Sequence, residues 1–577
     1  MMKWKTALLS AALLSIFFTP ASQAQIAAGI RYDTSYPIIS PVHGKQGMVV
    51  SEQALASQAG LEILQRGGNA IDAAIATGFA LAVVLPNAGN IGGGGFMLVH
   101  DSRSGKQVAL DFRELAPRAA RRDLYLDAQG NVIPEKSTYS HQAVGIPGTV
   151  AGLELAHKRF GSLPWQQLLA PAIQLAEKGF TVSPHLASLL TAEAGHLGRW
   201  PASRAIFFRN GHPLQSGDLL KQTDLAKSLR LIARDGAKAF YEGEIAQKIA
   251  AEMKANDGLI TQADLQAYRA AERVPVRGNY RGFEVISMPP PSSGGVHIVQ
   301  MLNMLEHFPL REQGHNSAAT LHQMSEIMKR AYADRAEYLG DPDHINIPVK
   351  ALTSKAYANA LVQQISPDKA TPSTEIRAGK LQPYESDQTT HYSVADKYGN
   401  VVSTTYTLNL NFGSGIVASG TGILLNNEMD DFSVKPGVPN AFGLVGGEAN
   451  AVGTWKRPLS SMSPTLVLQN GKPVIATGSP GGSRIITTVL QTLVNMIDFG
   501  MNPAEAAVAP RIHQQWLPDQ LRYEAGISQD TLRLLAQRGQ NLQPAQVMGK
   551  TQTIQITAKG LAGFSDPRNP DGKAAAY

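Results

Sequence analysis

The chain of 577 residues is long enough for a large buried core, arranged as about two to four domains or as one large layered domain. It contains no cysteine, which excludes disulfides, thiol catalysis and cysteine metal sites. The formal charge is +6 without any block of basic residues, so nucleic acid is not an expected partner.

The first 24 residues have the pattern of a secretory signal peptide. Lys3 and Lys5 form a basic start, an apolar run of about twelve residues follows, and small residues favour cleavage after Ala24. Because a bilayer span needs roughly twenty apolar residues, an uncleaved membrane anchor is the weaker interpretation. Loss of the two lysines leaves a mature charge of +4. We therefore expect a periplasmic or secreted protein without a membrane anchor.

Two helices are expected after the signal peptide. Ser51 can cap a helix that ends at a glycine pair, and Asn69 can cap an apolar helix that ends before Pro86. A glycine run then leads into a strand at 91–100, and a second strand follows at 107–112. The glycines match no phosphate-loop pattern, so they indicate close backbone packing.

The middle of the chain, roughly 140–370, is expected to be mainly helical because its apolar residues recur with a period near 3.6. The sequence MPPPSSGG at 288–295 interrupts this pattern with a rigid turn. From 366 to 387 the chain holds three prolines and many polar residues, which is typical of an exposed linker. That linker ends close to Thr389.

From Thr389 onward the pattern changes to strands and one helix. An Asn470-Gly471 turn joins the last two strands, and the helix follows at 484–499. Helical layers that flank strands from both halves favour stacked sheets covered by helices, although periodicity leaves the strand order open. The predicted strands are 391–396, 401–409, 421–427, 463–469 and 473–479.

The first two of these strands predict a hairpin, with Gly399 at the turn position that favours positive φ. On the resulting register Thr389 faces Thr407, which shares one strand face with Asn409. A slip by one residue would place Thr390 there instead.

Thr389 is a candidate nucleophile, although a threonine at the start of a strand is most simply a strand former. A threonine hydroxyl needs a base beside it, and the threonine's own α-amine can serve once the preceding peptide bond is cut. An α-amine titrates at about 7.7 to 8.0, so it can accept and return a proton near neutral pH. The linker before Thr389 would tolerate such a cut.

Other segments carry groups suited to acyl transfer on an amino-acid-like substrate. Gly481 and Gly482 precede a helix, where backbone N–H groups favour an oxyanion, although a plain strand-to-helix turn would look the same. Ser479 is a weaker candidate nucleophile because its GxSxG pattern is incomplete. The remaining candidates also fit an acidic turn, a polar loop and a local salt bridge, and they are Glu428, Asp430, Asp431, Ser460, Ser461 and Arg113.

Several motifs together resemble the γ-glutamyltransferase family, also called γ-glutamyl transpeptidase, and its bacterial periplasmic members most of all. They include TTHYSV, YTLN, LLNNEMDDF, KRPLSSMSPT and TGSPGGSRI in the second half, and LDFRELAP, GIPGTVAG and EYLGDPD in the first. The resemblance covers essentially the whole mature chain. It implies an α+β fold of the N-terminal-nucleophile hydrolase type, a four-layer αββα sandwich.

The resemblance also implies that the precursor cuts itself between Gln388 and Thr389. After removal of the signal peptide 1–24, the large subunit would be 25–388 and the small subunit 389–577. Both subunits would remain associated in one αββα unit.

The resemblance implies that two groups of side chains recognise a γ-glutamyl donor such as glutathione. The α-carboxylate would be held by Arg113, Ser460 and Ser461. The α-ammonium would be received by Asn409, Glu428 and Asp431.

The chemistry would fall to four residues. Thr389 would attack the γ-carbonyl, Thr407 would orient the nucleophile, and the amides of Gly481 and Gly482 would stabilise the oxyanion. The acyl group would pass to water or to the amine of an amino acid or peptide. The resemblance implies no metal and no organic cofactor.

The chain departs from the family at one notable position. The segment 436–447 resembles a lid loop in which bacterial members often carry a tyrosine, and the aromatic residue of this chain is Phe442, which cannot donate a hydroxyl hydrogen bond. Two other functions fit the residues less well. A glutaryl-amide acylase would have no use for Glu428 and Asp431, and a catalytically silent binding protein would have none for Thr389 and Thr407.

Overall fold

The structure, a computed structural model, describes residues 39–377, 389–435 and 437–577. The predicted signal peptide, Gln388 and the last part of the predicted linker lie outside the described residues. Within the described ranges, no helix combines the length and the apolar character that crossing a membrane requires.

In chain order, the strands are β1 (Val42–Gly44), β2 (Gly47–Ser51), β3 (Gly94–Asp101), β4 (Lys106–Phe112), β5 (Phe180–Thr181), β6 (Phe208–Arg209), β7 (His212–Pro213), β8 (Leu219–Leu220), β9 (Ala271–Arg273), β10 (Val276–Tyr280), β11 (Phe283–Ser287), β12 (Thr390–Asp396), β13 (Val401–Thr407), β14 (Val417–Ala418), β15 (Ile423–Leu424), β16 (Thr465–Gln469), β17 (Lys472–Thr477), β18 (Ile512–His513), β19 (Leu521–Tyr523), β20 (Leu542–Pro544), β21 (Gln552–Thr557), β22 (Gly560–Ser565) and β23 (Lys573–Ala576).

The α-helices, again in chain order, are α1 (Ala54–Gln65), α2 (Ala70–Val84), α3 (Thr149–Phe160), α4 (Trp165–Lys178), α5 (Pro184–Ala192), α6 (Ala194–Leu197), α7 (Pro201–Phe207), α8 (Thr223–Asp235), α9 (Lys238–Tyr241), α10 (Glu244–Ala255), α11 (Gln262–Ala267), α12 (Gly294–Leu305), α13 (Leu310–Gln313), α14 (Ala318–Tyr338), α15 (Val349–Leu352), α16 (Lys355–Val362), α17 (Arg484–Ile497), α18 (Pro503–Val508) and α19 (Gln529–Gln537).

Two seven-stranded antiparallel sheets form the centre of the fold. Sheet A has the order β1-β22-β21-β17-β16-β11-β10, and sheet B has the order β23-β2-β12-β13-β3-β4-β9. The hairpin of β12 and β13 therefore lies in the middle of sheet B. Both sheets combine strands from before and after Thr389, so a cut there would leave two interwoven pieces.

The sheets stack on each other and helices cover both outer faces. Alternate residues of β2 show this, because Val50 packs in the core between the sheets while Val49 packs in the core beneath α1 and α2. Helices α12, α14 and α17 contribute to the core on the side of sheet A. The Ser403 hydroxyl in β13 also donates to the Thr477 carbonyl in β17 at 3.0 Å, which links the sheets. The predicted αββα sandwich is confirmed.

The predicted hairpin has the expected register. His391 pairs with Thr405 and Ser393 with Ser403, and Gly399 in the turn has a φ of 87°. The glycine run before β3 also packs as predicted, because a Cβ on Gly95 would lie 2.5 Å from the Thr405 carbonyl oxygen. Asn69 caps α2 in a capping box with Asp72.

Three local expectations were wrong or incomplete. Ser51 ends β2, and Gln53 caps α1 through its side chain instead. The helical middle contains β9, β10 and β11, whose short strands alternate too briefly to stand out from helical periodicity. The described part of the predicted linker is mostly exposed, but Ser373 is buried and its carbonyl accepts from the Trp516 indole at 2.9 Å.

Candidate functional site

Thr389 and Thr407 meet at the end of the central hairpin. The Thr389 hydroxyl donates to the Thr407 hydroxyl at 3.5 Å, a long contact, and both side chains are buried. The backbone N–H of Asn409 donates to the same Thr407 oxygen at 2.8 Å. Asn90 holds the Thr407 carbonyl at 2.8 Å. Thr407 is thus fixed on both its backbone and its side chain, as a residue that orients a neighbour should be.

One pocket opens beside this threonine pair. It collects residues from sheet B, from the loop after β15, from the loop before β16 and from the start of α17. Its lining is Arg113, Thr389, Thr407, Asn409, Glu428, Asp431, Phe442, Leu444, Ser460, Ser461, Met462, Gly482 and Ile485. Of the described residues to which the family resemblance assigns a role, all line this pocket except Gly481, which directly precedes Gly482.

The Arg113 guanidinium lies at the end of β4 and makes two ion pairs inside the pocket. Its Nη1 donates to Glu428 and its Nη2 to Asp431, both in the short 3-10 turn Glu428–Asp431. Its Nε donates to the carbonyl of Pro458, two residues before Ser460, at 3.1 Å. The cation predicted to hold a carboxylate and the anions predicted to hold an ammonium are therefore in direct contact.

Burial and charge shift the pKa values of this cluster in opposite directions. Burial acts to lower the pKa of Arg113, but the charges of Glu428, Asp431 and Glu114 outweigh it and raise that pKa. Burial raises the pKa of Glu114 to about 7, with Arg113 opposing. The Glu114 oxygen lies 3.7 Å from Arg113, and burial also raises the pKa values of Glu428 and Asp431, so three carboxyl groups share one guanidinium.

Two buried acceptor atoms in the pocket have no hydrogen-bond partner among the described residues. They are Asn409 Oδ1 and Glu428 Oε2. The amide of Asn409 is nevertheless held, because its Nδ2 donates to the Asn427 carbonyl at 2.9 Å, and this leaves the oxygen as the group that can accept. Acceptors of this kind suit an ammonium ligand, which carries only donors.

The serine pair lies opposite, in the loop before β16. The Ser460 hydroxyl accepts from the Met462 N–H at 3.1 Å, and the Ser461 hydroxyl accepts from Arg335 at 3.2 Å. A serine hydroxyl has one proton and two lone pairs, so each serine still has its own proton to donate. Both therefore fit the role of carboxylate donors.

The glycine pair before α17 faces the aromatic ring of the lid. Gly482 has a φ of 52°, and a Cβ there would lie 2.3 Å from the Phe442 ring. Phe442 is 4% exposed, so the ring covers this loop without a hydroxyl group. Phe442 therefore lies among the residues that line the pocket.

Two of the candidate site residues, one acidic and one with a hydroxyl group, make structural hydrogen bonds and do not line the pocket. Asp430 accepts from the Ala441 N–H at 2.9 Å and from Ser137 at 2.7 Å, so it anchors the lid instead of lining the pocket. Ser479 donates to the Pro480 carbonyl at 2.7 Å and accepts from the Lys550 N–H at 2.9 Å. Ser479 lies outside the pocket lining, and we assign it no role as a nucleophile.

Sequence reasoning missed Arg335 and the role of Glu114. Arg335 lies in α14, where every residue from Thr320 to Ala336 is buried. Charged residues within a helix buried on all sides are the signal that could have found it. Glu114 directly follows Arg113 and was not among the candidate site residues. In the described part of the chain, no group of three or more His, Cys, Asp or Glu side chains is arranged to hold a metal.

Comparisons by sequence point to one protein family. The family model described as Gamma-glutamyltranspeptidase matches residues 56–577. The glutathione hydrolase proenzyme of Escherichia coli (strain K12) is 56% identical over 569 residues, which cover 98% of this chain and 98% of its own length.

Two solved structures are also similar. Cephalosporin acylase from Bacillus halodurans matches with a TM-score of 0.82 at 31% identity, over 95% of this chain and 99% of its own. Gamma-glutamyltranspeptidase from Helicobacter pylori matches with a TM-score of 0.57 at 46% identity, over 61% of this chain and 99% of its own. By sequence and by fold, this chain belongs to the γ-glutamyltranspeptidase family.

Proposed function

We propose that the protein is a γ-glutamyl hydrolase and transpeptidase that acts on glutathione and other γ-glutamyl compounds. The observation that carries this proposal is one pocket in which the Thr389 hydroxyl lies near paired opposite charges, Arg113 on one side and Glu428 with Asp431 on the other. A γ-glutamyl group has a matching layout, with a carboxylate and an ammonium at one end and a reactive carbonyl at the other.

On donor binding, the contacts of Arg113 with Glu428 and Asp431 would be replaced by ion pairs between these side chains and the donor. The α-carboxylate would take the Arg113 guanidinium together with the serine hydroxyls, and the α-ammonium would take Glu428, Asp431 and the Asn409 oxygen. Each buried charge then keeps a partner of opposite sign, so the exchange avoids the several kcal/mol that an unpaired buried ion costs.

The acyl transfer would proceed in two steps. The α-amine of Thr389 accepts the hydroxyl proton while Oγ attacks the γ-carbonyl, and the amides of Gly481 and Gly482 stabilise the resulting oxyanion. Collapse expels the leaving amine, which takes the proton, and leaves a γ-glutamyl ester on Oγ. Water or the amine of an amino acid or peptide then attacks the ester and regenerates the free hydroxyl.

Maturation would use the same hydroxyl. Thr389 Oγ attacks the carbonyl carbon of Gln388, the peptide nitrogen departs as the new α-amine, and water hydrolyses the ester to release the Gln388 carboxylate. Thr389 has a φ of 154°, which L-residues rarely adopt, and strain of roughly 1–3 kcal/mol beside the bond favours its cleavage. The products would be the large subunit 25–388 and the small subunit 389–577, exported to the periplasm after loss of 1–24.

A second candidate is an acylase for glutaryl amides, because cephalosporin acylase shares the fold. A glutaryl group has a carboxylate but no ammonium. It would leave Glu428 and Asp431 without their ion-pair partner once Arg113 turned to the carboxylate, so the charges of the pocket favour the γ-glutamyl donor.

The test uses purified protein on a denaturing gel, with N-terminal sequencing of the smaller band and an assay with γ-glutamyl-p-nitroanilide. We expect two chains, the smaller beginning at Thr389, and release of nitroaniline. Thr389→Ala should remain one chain and be inactive. Correctly cleaved protein that does not turn over the anilide would contradict the proposed activity, and active uncut protein would contradict the maturation.

A further inference from the structure

A second arginine lies directly behind the pocket. Arg335, in the last turn of α14, is 4% exposed, and its Nη2 donates to the Ser461 hydroxyl at 3.2 Å. Its Nε donates to the Ser293 hydroxyl at 3.0 Å. Ser293 in turn donates to the Ser460 carbonyl at 2.8 Å. One guanidinium therefore holds both serines of the predicted carboxylate site, one directly and one through its backbone.

The charge of Arg335 is balanced differently from that of Arg113. Among the described residues, no carboxylate lies within ion-pair distance of Arg335, whereas Arg113 contacts Glu428 and Asp431. A guanidinium that is buried and hydrogen-bonded to hydroxyl groups is costly, and burial lowers the pKa of Arg335 to about 10, although Tyr332 and the charge of Asp431 act to raise it. The group is still charged at neutral pH, beside the place where a ligand carboxylate is expected.

The hydrogen bond to Ser461 also fixes a direction. Because the serine oxygen accepts from Arg335, its own proton is left to donate, and Ser461 lines the pocket. A purely structural role is the simpler interpretation, since a cation in the last turn of a helix interacts favourably with the helix dipole. That role alone would affect every substrate equally.

We propose that Arg335 is a positioning residue for donor recognition, which orients the Ser461 hydroxyl and adds a second positive charge for the α-carboxylate of the substrate. The inference rests on the proposed function. It separates Arg335 from Arg113, because Arg113 would touch the carboxylate while Arg335 would act through Ser461.

The experiment compares two substrates that differ only in the α-carboxylate, γ-glutamyl-p-nitroanilide and 4-aminobutyryl-p-nitroanilide. For Arg335→Met we expect kcat/KM to fall about 10- to 100-fold with the γ-glutamyl substrate, mainly through KM. With the 4-aminobutyryl substrate, measured at high enzyme concentration, we expect a change below about 3-fold. An equal loss on both substrates would overturn the proposal.

Two further variants keep the result interpretable. Arg335→Lys retains the positive charge but not the planar guanidinium that donates to two serines. We expect its kcat/KM to fall about 3- to 10-fold with the γ-glutamyl substrate relative to the 4-aminobutyryl substrate. This variant tests the proposal even if Arg335→Met does not mature. Arg330→Lys is the matched control, because Arg330 is a buried arginine of the same helix that pairs with Glu326 and donates to the Gln364 carbonyl outside the pocket lining, and the substrate ratio should stay within about 3-fold. Cleaved wild type that fails with γ-glutamyl-p-nitroanilide would refute the proposed function, whereas an active wild type with unselective variants would refute the role of Arg335.

Discussion

Replacement of Asp431 by asparagine tests the charge layout of the pocket with little change of shape. Asp431 accepts from Asn440 at 3.0 Å through Oδ1 and pairs with Arg113 through Oδ2. An asparagine can keep the acceptor for Asn440, so the lid should stay in place. What is removed is one negative charge and one acceptor for the ammonium of the donor.

The magnitude follows from the burial of this side chain, which is 10% exposed. A hydrogen bond to a charged group contributes roughly 1.5–3 kcal/mol, and each 1.4 kcal/mol is a factor of ten. We therefore expect Asp431→Asn to lower kcat/KM for γ-glutamyl-p-nitroanilide by about 10- to 100-fold, mostly through a higher KM. Self-cleavage should be preserved.

We do not expect kcat/KM to fall with glutaryl-p-nitroanilide, which lacks the ammonium. Its carboxylate no longer competes with Asp431 for Arg113, so kcat/KM should stay unchanged or rise by up to about 10-fold. Steady-state kinetics with the two anilides measure both effects on one preparation. If Asp431→Asn lost the same factor on both substrates, Asp431 would support the pocket only structurally, and its assignment to the ammonium would be refuted.

Three further variants test the other parts of the site. Thr407→Val keeps the shape of the side chain but removes the oxygen that accepts from the Thr389 hydroxyl. We expect kcat of the cleaved enzyme to fall about 10-fold while KM changes by less than about 3-fold. An unchanged kcat would show that Thr407 takes no part in the chemistry. Gly482→Ala places a Cβ against Phe442 at a left-handed φ, so we expect at least a 10-fold loss of kcat; full activity would contradict the oxyanion role. Folded Glu114 keeps its proton up to pH of about 7 whereas the unfolded chain releases it near 4.5, so wild type loses stability as pH rises through that window. The Tm of Glu114→Gln minus that of wild type should therefore be larger at pH 8 than at pH 5, and a constant difference would contradict the raised pKa of Glu114.

The sequence predicted the elements that obey local rules. The hairpin register followed from one turn glycine and a period of two, and it put Thr389 opposite Thr407 as found. The cap of α2 by Asn69 is likewise local. Ser51 failed as a cap because β2 extends to it through pairing with β12, a contact between distant parts of the chain.

The site was predicted less completely than the hairpin, for a similar reason. Motif resemblance named the residues that line the pocket but not how they pair with each other. The contact of Arg113 with Glu428 and Asp431 joins residues more than 300 positions apart, and it depends on how β4 approaches the turn after β15. Arg335 belongs to no motif singled out in the sequence, and its contact with Ser461 forms only when α14 packs against α12.

The internal ion pair explains how the pocket can select a zwitterion without contacts dedicated to selection. A ligand with only a carboxylate releases Glu428 and Asp431 from Arg113 and leaves them buried without their ion-pair partner. A ligand with only an ammonium leaves Arg113 in the same position. An unpaired buried ion costs several kcal/mol, so each singly charged ligand binds less well because it leaves a buried side-chain charge without its partner. A ligand that carries both charges avoids this cost. The same reasoning explains why Asp431→Asn should affect the two anilides differently. Removal of one buried carboxylate lowers the cost of binding a ligand that has only a carboxylate, whereas it weakens the binding of a ligand that has an ammonium.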